Sequence, residues 1–371
     1  MKELPPAAPA LDPRITKVLR PRNSLGTLYV SMAMGNSMLS LLCSCSGYFW
    51  PWLLGQLLWA VTFLQWFSIL HEAGHKTLFA SSLANRWVGQ LAGWMAIIPF
   101  YSWTLIHARH HYWTGWQDLD ATTQQLVPRP LRRWEKWSVN FCWATGFPLF
   151  STLYRLSNYW NLPRLWRLYP YPKQRRRLVV ASFGSLVVYA LVIFLVGPVL
   201  FFKLVGVGIL LTLMLQDPLI LSQHTHIAMR LSDGCDVQPF PPRQQQFFTR
   251  SLVFPTWFSR WILLNLDAHE LHHMYASVPG YHLHRLRQPT PNAIPWWLWL
   301  WRAKQIRGEI LLFHNRDETG FLIGDGCVLV HHRVLHLSWY RTNTLVAFTF
   351  FSQVCAASGS RCDLERSPHL G

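Results

Sequence analysis

The chain alternates long apolar runs with short stretches dense in arginine, tryptophan and proline. Thr27 to Ser44 carries no charge, and Tyr48 to Leu70 is a stronger run of the same kind. A helix needs roughly 20 predominantly apolar residues to cross a bilayer, so both are predicted spans. Gly47 and Pro51 fall at the junction, which fits a tight helical hairpin. Leu178 to Phe202 is uncharged throughout, and beyond Lys203 the apolar character resumes as far as Gln216. Two further spans with a minimal loop between them are expected there. The expected fold class is therefore all-α and integral to the membrane, multi-pass, with about four transmembrane helices. Residues 1–26 read as a polar, proline-containing cytoplasmic tail and 27–310 as the membrane domain. Residues 311–371 form a C-terminal tail of unassigned role, in which Thr342 to Cys355 is apolar but short for a span.

Composition agrees with a bilayer environment. Hydrophobic residues make up 51% of the 371 and charged residues only 14%, with mean hydropathy +0.13, which is little charge for a soluble enzyme. Many of the 21 tryptophans flank apolar runs, as at Trp50, Trp52, Trp87 and Trp296 to Trp301, where indoles act as interfacial anchors. The net charge of +17 is segmental, clustering in Lys17 to Arg22, Arg129 to Lys136 and Arg164 to Arg177. Such clusters mark the cytoplasmic face and attract anionic headgroups. With no nucleic-acid motif beside them, a nucleic-acid partner is not expected. Seven cysteines form no disulfide-like framework, and Cys43 and Cys45 read as small buried residues. The first residues lack the apolar core of a signal peptide.

The chemistry lies in histidines at the edges of the apolar runs. Ten of the 17 fall in four groups: His71 and His75; His107, His110 and His111; His224 and His226; His269, His272 and His273. Positions i, i+3 and i+4 share one helix face, so each group aims its rings one way. Neutral imidazole suits iron, zinc, copper and nickel. One zinc takes three or four ligands, so eight to ten convergent histidines imply two metals. Both early boxes must then meet at one site. That favours a re-entrant or interfacial helix over Trp87 to Ile106, interrupted near Pro99, and a cytoplasmic helical cap that carries the boxes.

Two other readings use the same letters. His71-Glu72-Ala73-Gly74-His75 and His269-Glu270-Leu271-His272-His273 are each H-E-x-x-H, the helical motif of zinc proteases with glutamate as general base. A single zinc site leaves His107, His110, His111 and His273 without a role. Glu72-x-x-His75 and Glu270-x-x-His273 also match the pairs of ferritin-like di-iron bundles, but the box HARHH supplies no glutamate. A metal-binding membrane protein without activity is the non-enzyme alternative.

HEAGH, then HARHH, then HELHH after two further spans resembles the membrane fatty acid desaturase superfamily, whose boxes read HX3-4H, HX2-3HH and (H/Q)X2-3HH. The resemblance covers about Thr27 to Leu286. The continuation HHYWTGWQDLD looks most like acyl-lipid desaturases; lipid or carotenoid hydroxylases and ketolases share the box logic. The resemblance implies a non-haem di-iron centre with two iron ions, O2 as co-substrate, and a double bond introduced into a fatty acyl chain of a membrane lipid or thioester. It implies His71, His75, His107, His110, His111, His269, His272 and His273 as metal ligands. One further histidine is expected after the last spans, His226 being preferred to His224, with Asn265 a candidate for a water-mediated contact. An unactivated methylene has no acidic proton, so the metal must supply the oxidising power while the protein positions the chain. Glu72, Asp118, Asp120, Asp267 and Glu270 are candidates to orient imidazole N–H groups. Asp217, inside an apolar run, is a functional candidate by default, with a helix-end role as the alternative. No HPGG motif occurs, so a separate electron donor, ferredoxin or cytochrome b5-like, is expected. The additional histidines of HLHRL (282–286) and HHRVLH (331–336) read as surface residues.

Overall fold

The computed structural model describes residues 7–323, apart from 287, 289, 315 and 322. The stretches HHRVLH and Thr342 to Cys355, with most of the expected C-terminal tail, lie outside the described residues.

Four helices are long and apolar enough to cross a membrane. They are α1 (Asn23–Ser44), α2 (Phe49–Gly74) and, after the shorter α3 (Ser82–Met95), α4 (Phe100–Trp113), α5 (Arg133–Thr145) and α6 (Leu149–Arg155), the pair α7 (Pro172–Val196) and α8 (Pro198–His224). Burial separates them: the apolar window of α2 is 72% buried, against 22% in α1 and 11% in each of α7 and α8. Helix α2 is therefore the axis, packed by α1, α3 and α8, while the other spans turn most of their surface outward.

Polar side chains bind the spans where apolar contact alone gives no preference for protein over lipid. Gln56, fully buried in α2, donates to Ser44 Oγ of α1 at 2.9 Å and accepts from the Gly208 amide of α8 at 2.9 Å. Asn36 donates to Gln65 at 2.9 Å, and Trp66 Nε1 to Ser37 Oγ at 3.0 Å, fixing the α1–α2 register.

The hairpin between α7 and α8 turns at Gly197 and Pro198, not at Lys203. Gly197 takes φ +85°, open to a residue without Cβ, and Pro198 opens the next helix without needing an amide partner. Lys203 instead lies in a π-helical turn, Phe202–Gly206, its carbonyl accepting from Trp52 Nε1 at 2.9 Å.

Trp87 to Ile106 divides into α3 and α4, neither among the four potential spans. Each has 14 residues, about 21 Å of helix, and the break falls at Ala96 to Pro99, as the proline implied. Ile97 takes φ +58° in that turn. The down-and-back path returns α4 to the end of α2 that carries His71.

Residues 7–22, within the expected tail, pack on the rest of the chain: Ala8 and Leu19 are buried with Leu271, Met274 and Tyr275, and Tyr275 donates to the Pro9 carbonyl at 2.9 Å. Several local expectations need correction. Asp217 accepts from the amides of Ser151 (2.5 Å) and Phe150 (3.4 Å), so it caps the N-terminus of α6, the helix-end role. Cys43 is only half-buried and Cys45 exposed. In HLHRL, His282 and Leu283 are buried and only His284 and Arg285 are exposed.

Beyond α8 the chain carries β1 (Leu252–Val253), α9 (Thr256–Trp261), α10 (His269–Met274), β2 (Ile294–Pro295), α11 (Trp296–Ala303) and α12 (Gly308–Phe313). The two strands pair in parallel, Leu252 opposite Ile294, and clamp the loop that delivers α10. Ordered packing continues through the expected boundary at 310, since α12 packs on α5.

Candidate metal centre

His71 lies in the last turn of α2 and His75 caps it; His107, His110 and His111 occupy the last turns of α4. His224 ends α8, and α10 consists of the third box itself. These four helices converge their rings into two sets, His71, His75, His107 and His272, and His110, His224, His269 and His273. Within each set the ligand nitrogens lie within 4.8 Å of one another. The split follows helix geometry. Residues i and i+3 diverge enough around the axis that His107 serves the first set and His110 the second, while His269 and His273, at i and i+4, serve the same one.

His111 stands between the sets. Its Nε2 is 3.1 Å from that of His107 and 3.0 Å from that of His272, and its ring stacks on His273 at 4.3 Å. His226 joins neither set: it takes φ +52° and meets Thr319 Oγ1 at 2.8 Å. His224, which ends α8, faces inward and stands in the second set, while the next turn carries His226 away.

The outer nitrogens are held by acceptors. His110 Nδ1 meets Asp120 Oδ2 at 2.7 Å and Thr122 Oγ1 at 3.0 Å. His273 Nδ1 meets Gln245 Oε1 at 2.9 Å, His224 Nδ1 the Phe248 carbonyl at 3.2 Å, and His71 Nδ1 Glu72 Oε1 at 3.3 Å. A proton on Nδ1 leaves a lone pair on Nε2. The Nε2 atoms of His110 and His273, whose Nδ1 atoms are both held, face each other at 3.3 Å, and His224 Nε2 lies 2.9 Å from that of His269, while buried His71 Nε2 has no hydrogen-bond partner among the described residues. Converging lone pairs repel unless a cation lies among them, so the donor set fits metal ions. Burial, reinforced by neighbouring rings, pushes His75, His107, His111, His269, His272 and His273 well below the usual imidazole range. The rings are thus neutral, as ligation requires.

Of the five acidic candidates, Glu72 and Asp120 touch a histidine of the sets. Glu72 also accepts from Thr77 Oγ1 at 2.8 Å and from the Gly280 amide at 2.7 Å. A Cβ at Gly280 would press on the Leu264 carbonyl and come 2.9 Å from Glu72 Oε1, so this close approach needs glycine. Asp120 is buried, which opposes ionisation, but His110 and the Thr122 amide hold its carboxyl below the usual range. The other three bind protein elsewhere: Asp118 accepts from the Ser232 amide at 3.0 Å and Asp267 from Ser259 Oγ at 2.7 Å. Glu270 accepts from the amides of Asn292 (2.8 Å) and Ser251 (3.2 Å), and burial pushes it up to about 7. Asn265 donates to the Gly280 carbonyl at 2.8 Å, outside both sets. Both H-E-x-x-H glutamates thus accept from protein donors, Glu72 from Thr77 and the Gly280 amide and Glu270 from the amides of Asn292 and Ser251.

Sequence reasoning missed Gln245, Thr122 and the Phe248 carbonyl. Gln245 sits in a run of three glutamines with no motif around it, and a backbone carbonyl has no sequence signal at all. A cavity of ≈ 70 Å³ opens beside the sets. Its imidazole wall includes His71, His107, His110, His224 and His269, and Phe67, Trp103, Leu126, Ile220, Leu221 and Leu266 make the apolar one.

Comparison with known proteins identifies a family. The family model described as Fatty acid desaturase matches residues 48–303. The chain is similar to an endoplasmic reticulum omega-3 fatty acid desaturase of Vigna radiata var. radiata, 23% identical over 254 residues that cover 64% of this chain and 63% of that protein. It is similar to an sn-1 oleoyl-lipid 12-desaturase of Arthrospira platensis, 26% identical over 262 residues, 65% of this chain and 68% of that one. A temperature-sensitive sn-2 acyl-lipid omega-3 desaturase (ferredoxin), chloroplastic, of Arabidopsis thaliana is 23% identical over 259 residues, 65% and 58%. The chain thus spans 63% and 58% of the length of these two plant relatives.

Proposed function

The chain belongs to the fatty acid desaturase family, and on that premise we propose that it is a multi-pass membrane desaturase with two iron ions. It introduces a double bond into a fatty acyl chain of a membrane lipid or thioester. The observation that carries this reading is the meeting of two four-histidine sets at the wall of an apolar cavity. His71, His75, His107 and His272 hold one iron and His110, His224, His269 and His273 the other, with His111 between them. The bound irons supply the O2-dependent oxidising power that an unactivated methylene requires. In the balanced reaction, two hydrogens from adjacent methylenes, O2, two electrons and two protons give the alkene and two waters.

The chain's own residues do the positioning. Phe67, Trp103 and Leu266 offer the acyl chain an apolar wall and keep bulk water from the centre. Asp120, Thr122, Gln245 and Glu72 fix the tautomer and orientation of the rings they bond. The electrons come from a separate ferredoxin- or cytochrome b5-like donor; the word ferredoxin in the Arabidopsis relative's name supports this. The histidine sets lie at the ends of α2 and α8, next to the basic segments, which supports a cytoplasmic position.

The test is metal analysis of purified protein together with mass spectrometry of lipids from cells expressing it. About two irons per chain and products lighter by two hydrogens are expected. Products that gain oxygen would make it a hydroxylase of the same family. One zinc without iron would remove the di-iron reading.

A further inference from the structure

Outside the four spans, three short helices present tryptophans to the exterior. Helix α5 shows Trp134, Trp137 and Phe141 at i, i+3 and i+7, and Trp137 stacks on Phe141 with centroids 5.2 Å apart. Helix α11 shows Trp297 and Trp301, while its Trp299 turns inward against Trp143 of α5 at 6.3 Å. Helix α9 shows Trp257, and Trp296 at the start of α11 stacks on Phe254 beside it at 5.6 Å. Soluble surfaces seldom gather large apolar side chains this way without a partner.

Height along the spans identifies that partner. The Trp261 carbonyl of α9 accepts from Gln65 of α2 at 2.9 Å, and Gln65 lies six residues before His71, about 9 Å toward the span interior. On the other side, Ser151 Oγ of α6, the helix that follows α5, donates to the Leu213 carbonyl of α8 at 2.9 Å. A Cβ at Gly146, which ends α5, would lie 3.9 Å from Met214. These anchors are about 15 Å along α8 from His224, where Leu210 and Leu215 are themselves exposed apolar residues. The aromatic faces therefore continue the lipid-facing surface of the spans. Charge fits one kind of leaflet: residues 129–145 and 296–309 hold seven Lys and Arg against two Glu.

We propose that α5, α9 and α11 form a collar sunk in the headgroup region of an anionic lipid leaflet, so that the membrane grips the protein around the histidine centre as well as along the spans. Trp137, Trp257 and Trp301 enter the acyl boundary, and Arg132, Arg133 and Lys136 meet the phosphates. This reading is independent of the metal and of the reaction.

The test uses the full chain in phosphatidylcholine vesicles containing phosphatidylglycerol. A nitroxide is attached through a ketone-bearing amino acid placed singly at Trp137, Trp257 or Trp301. These side chains are 66%, 63% and 61% exposed, so replacing them disturbs little packing. Collision with lipid-soluble O2 is compared with collision with a water-soluble nickel chelate, taking the exposed position 187, midway along α7, as the bilayer reference and position 233 as the water reference. All three labels are expected to favour O2, as at 187. Labels that behave like 233 would overturn the collar. Omitting phosphatidylglycerol, or combining Arg132→Glu with Arg133→Glu, is expected to raise the label at 137 toward water. An unchanged depth in both would overturn the preference for an anionic leaflet.

Discussion

The two histidine sets share a ligand count but differ in what holds their rings. In the second set, His110, His224 and His273 each have an outer nitrogen bonded to Asp120, the Phe248 carbonyl or Gln245, at 2.7 to 3.2 Å. In the first set, among the described residues, only His71 has such an acceptor, Glu72, and at a longer 3.3 Å. His107 is instead fixed by packing, its ring stacked on Trp103 at 4.2 Å. One set is oriented by hydrogen bonds from loops and the other by aromatic walls of the helices that carry it. Hydrogen-bonded rings gain basicity as well as direction, so the sets should respond differently to the same class of change.

The largest effect comes from deleting a ligand. His272→Ala in the first set and His224→Ala in the second are each expected to abolish product formation and to halve bound iron, while membrane insertion is retained. Iron analysis beside lipid profiling reads both, and a fully loaded, active variant would remove that residue from its set.

A smaller effect sharpens the contrast between the sets. Asp120→Asn removes the charged acceptor of His110 and is expected to weaken metal binding about 10- to 100-fold. Gln245→Leu removes a neutral acceptor and is expected to stay near the lower end of that range. Trp103→Leu, by contrast, takes no hydrogen bond from a ring and is expected to leave metal affinity within about 3-fold while lowering the thermal midpoint, since a buried aromatic is truncated. Metal titrations with a chelator measure all three. Equal losses at Asp120 and Trp103 would erase the distinction.

The smallest effect is predicted for His226→Ala. This ring bonds Thr319 and lies outside both sets, so iron content should be unchanged. A halved iron content there would restore the sequence-based preference for His226 over His224.

Much of the architecture is legible in residue order. The hairpin of α1 and α2, the break at Pro99 and the pairing of α7 with α8 all follow from apolar length and from proline and glycine, because a bilayer admits only helices that satisfy their own backbone. Where two signals compete, charge misleads: Lys203 marks a loop by its charge, yet Gly197 and Pro198 make the turn, and a lysine near a helix end can reach the interface along its stem.

Sequence by itself determined that histidines at helical spacing would gather in number sufficient for two metals, since i, i+3 and i+4 spacing fixes which rings share a face. Helix geometry separates position i from i+3, but tertiary structure places His224 and not His226 beside the other rings: His226 takes positive φ and turns to Thr319. It also decided which acids serve the rings. Asp118, Asp120, Asp267, Glu72 and Glu270 look alike on paper, but an acceptor must come within about 3 Å of a ring nitrogen. The turn after α4 folds Asp120 back onto His110, the packing of a separate segment brings Gln245 to His273, and Glu270 is sent to the amides of Asn292 and Ser251.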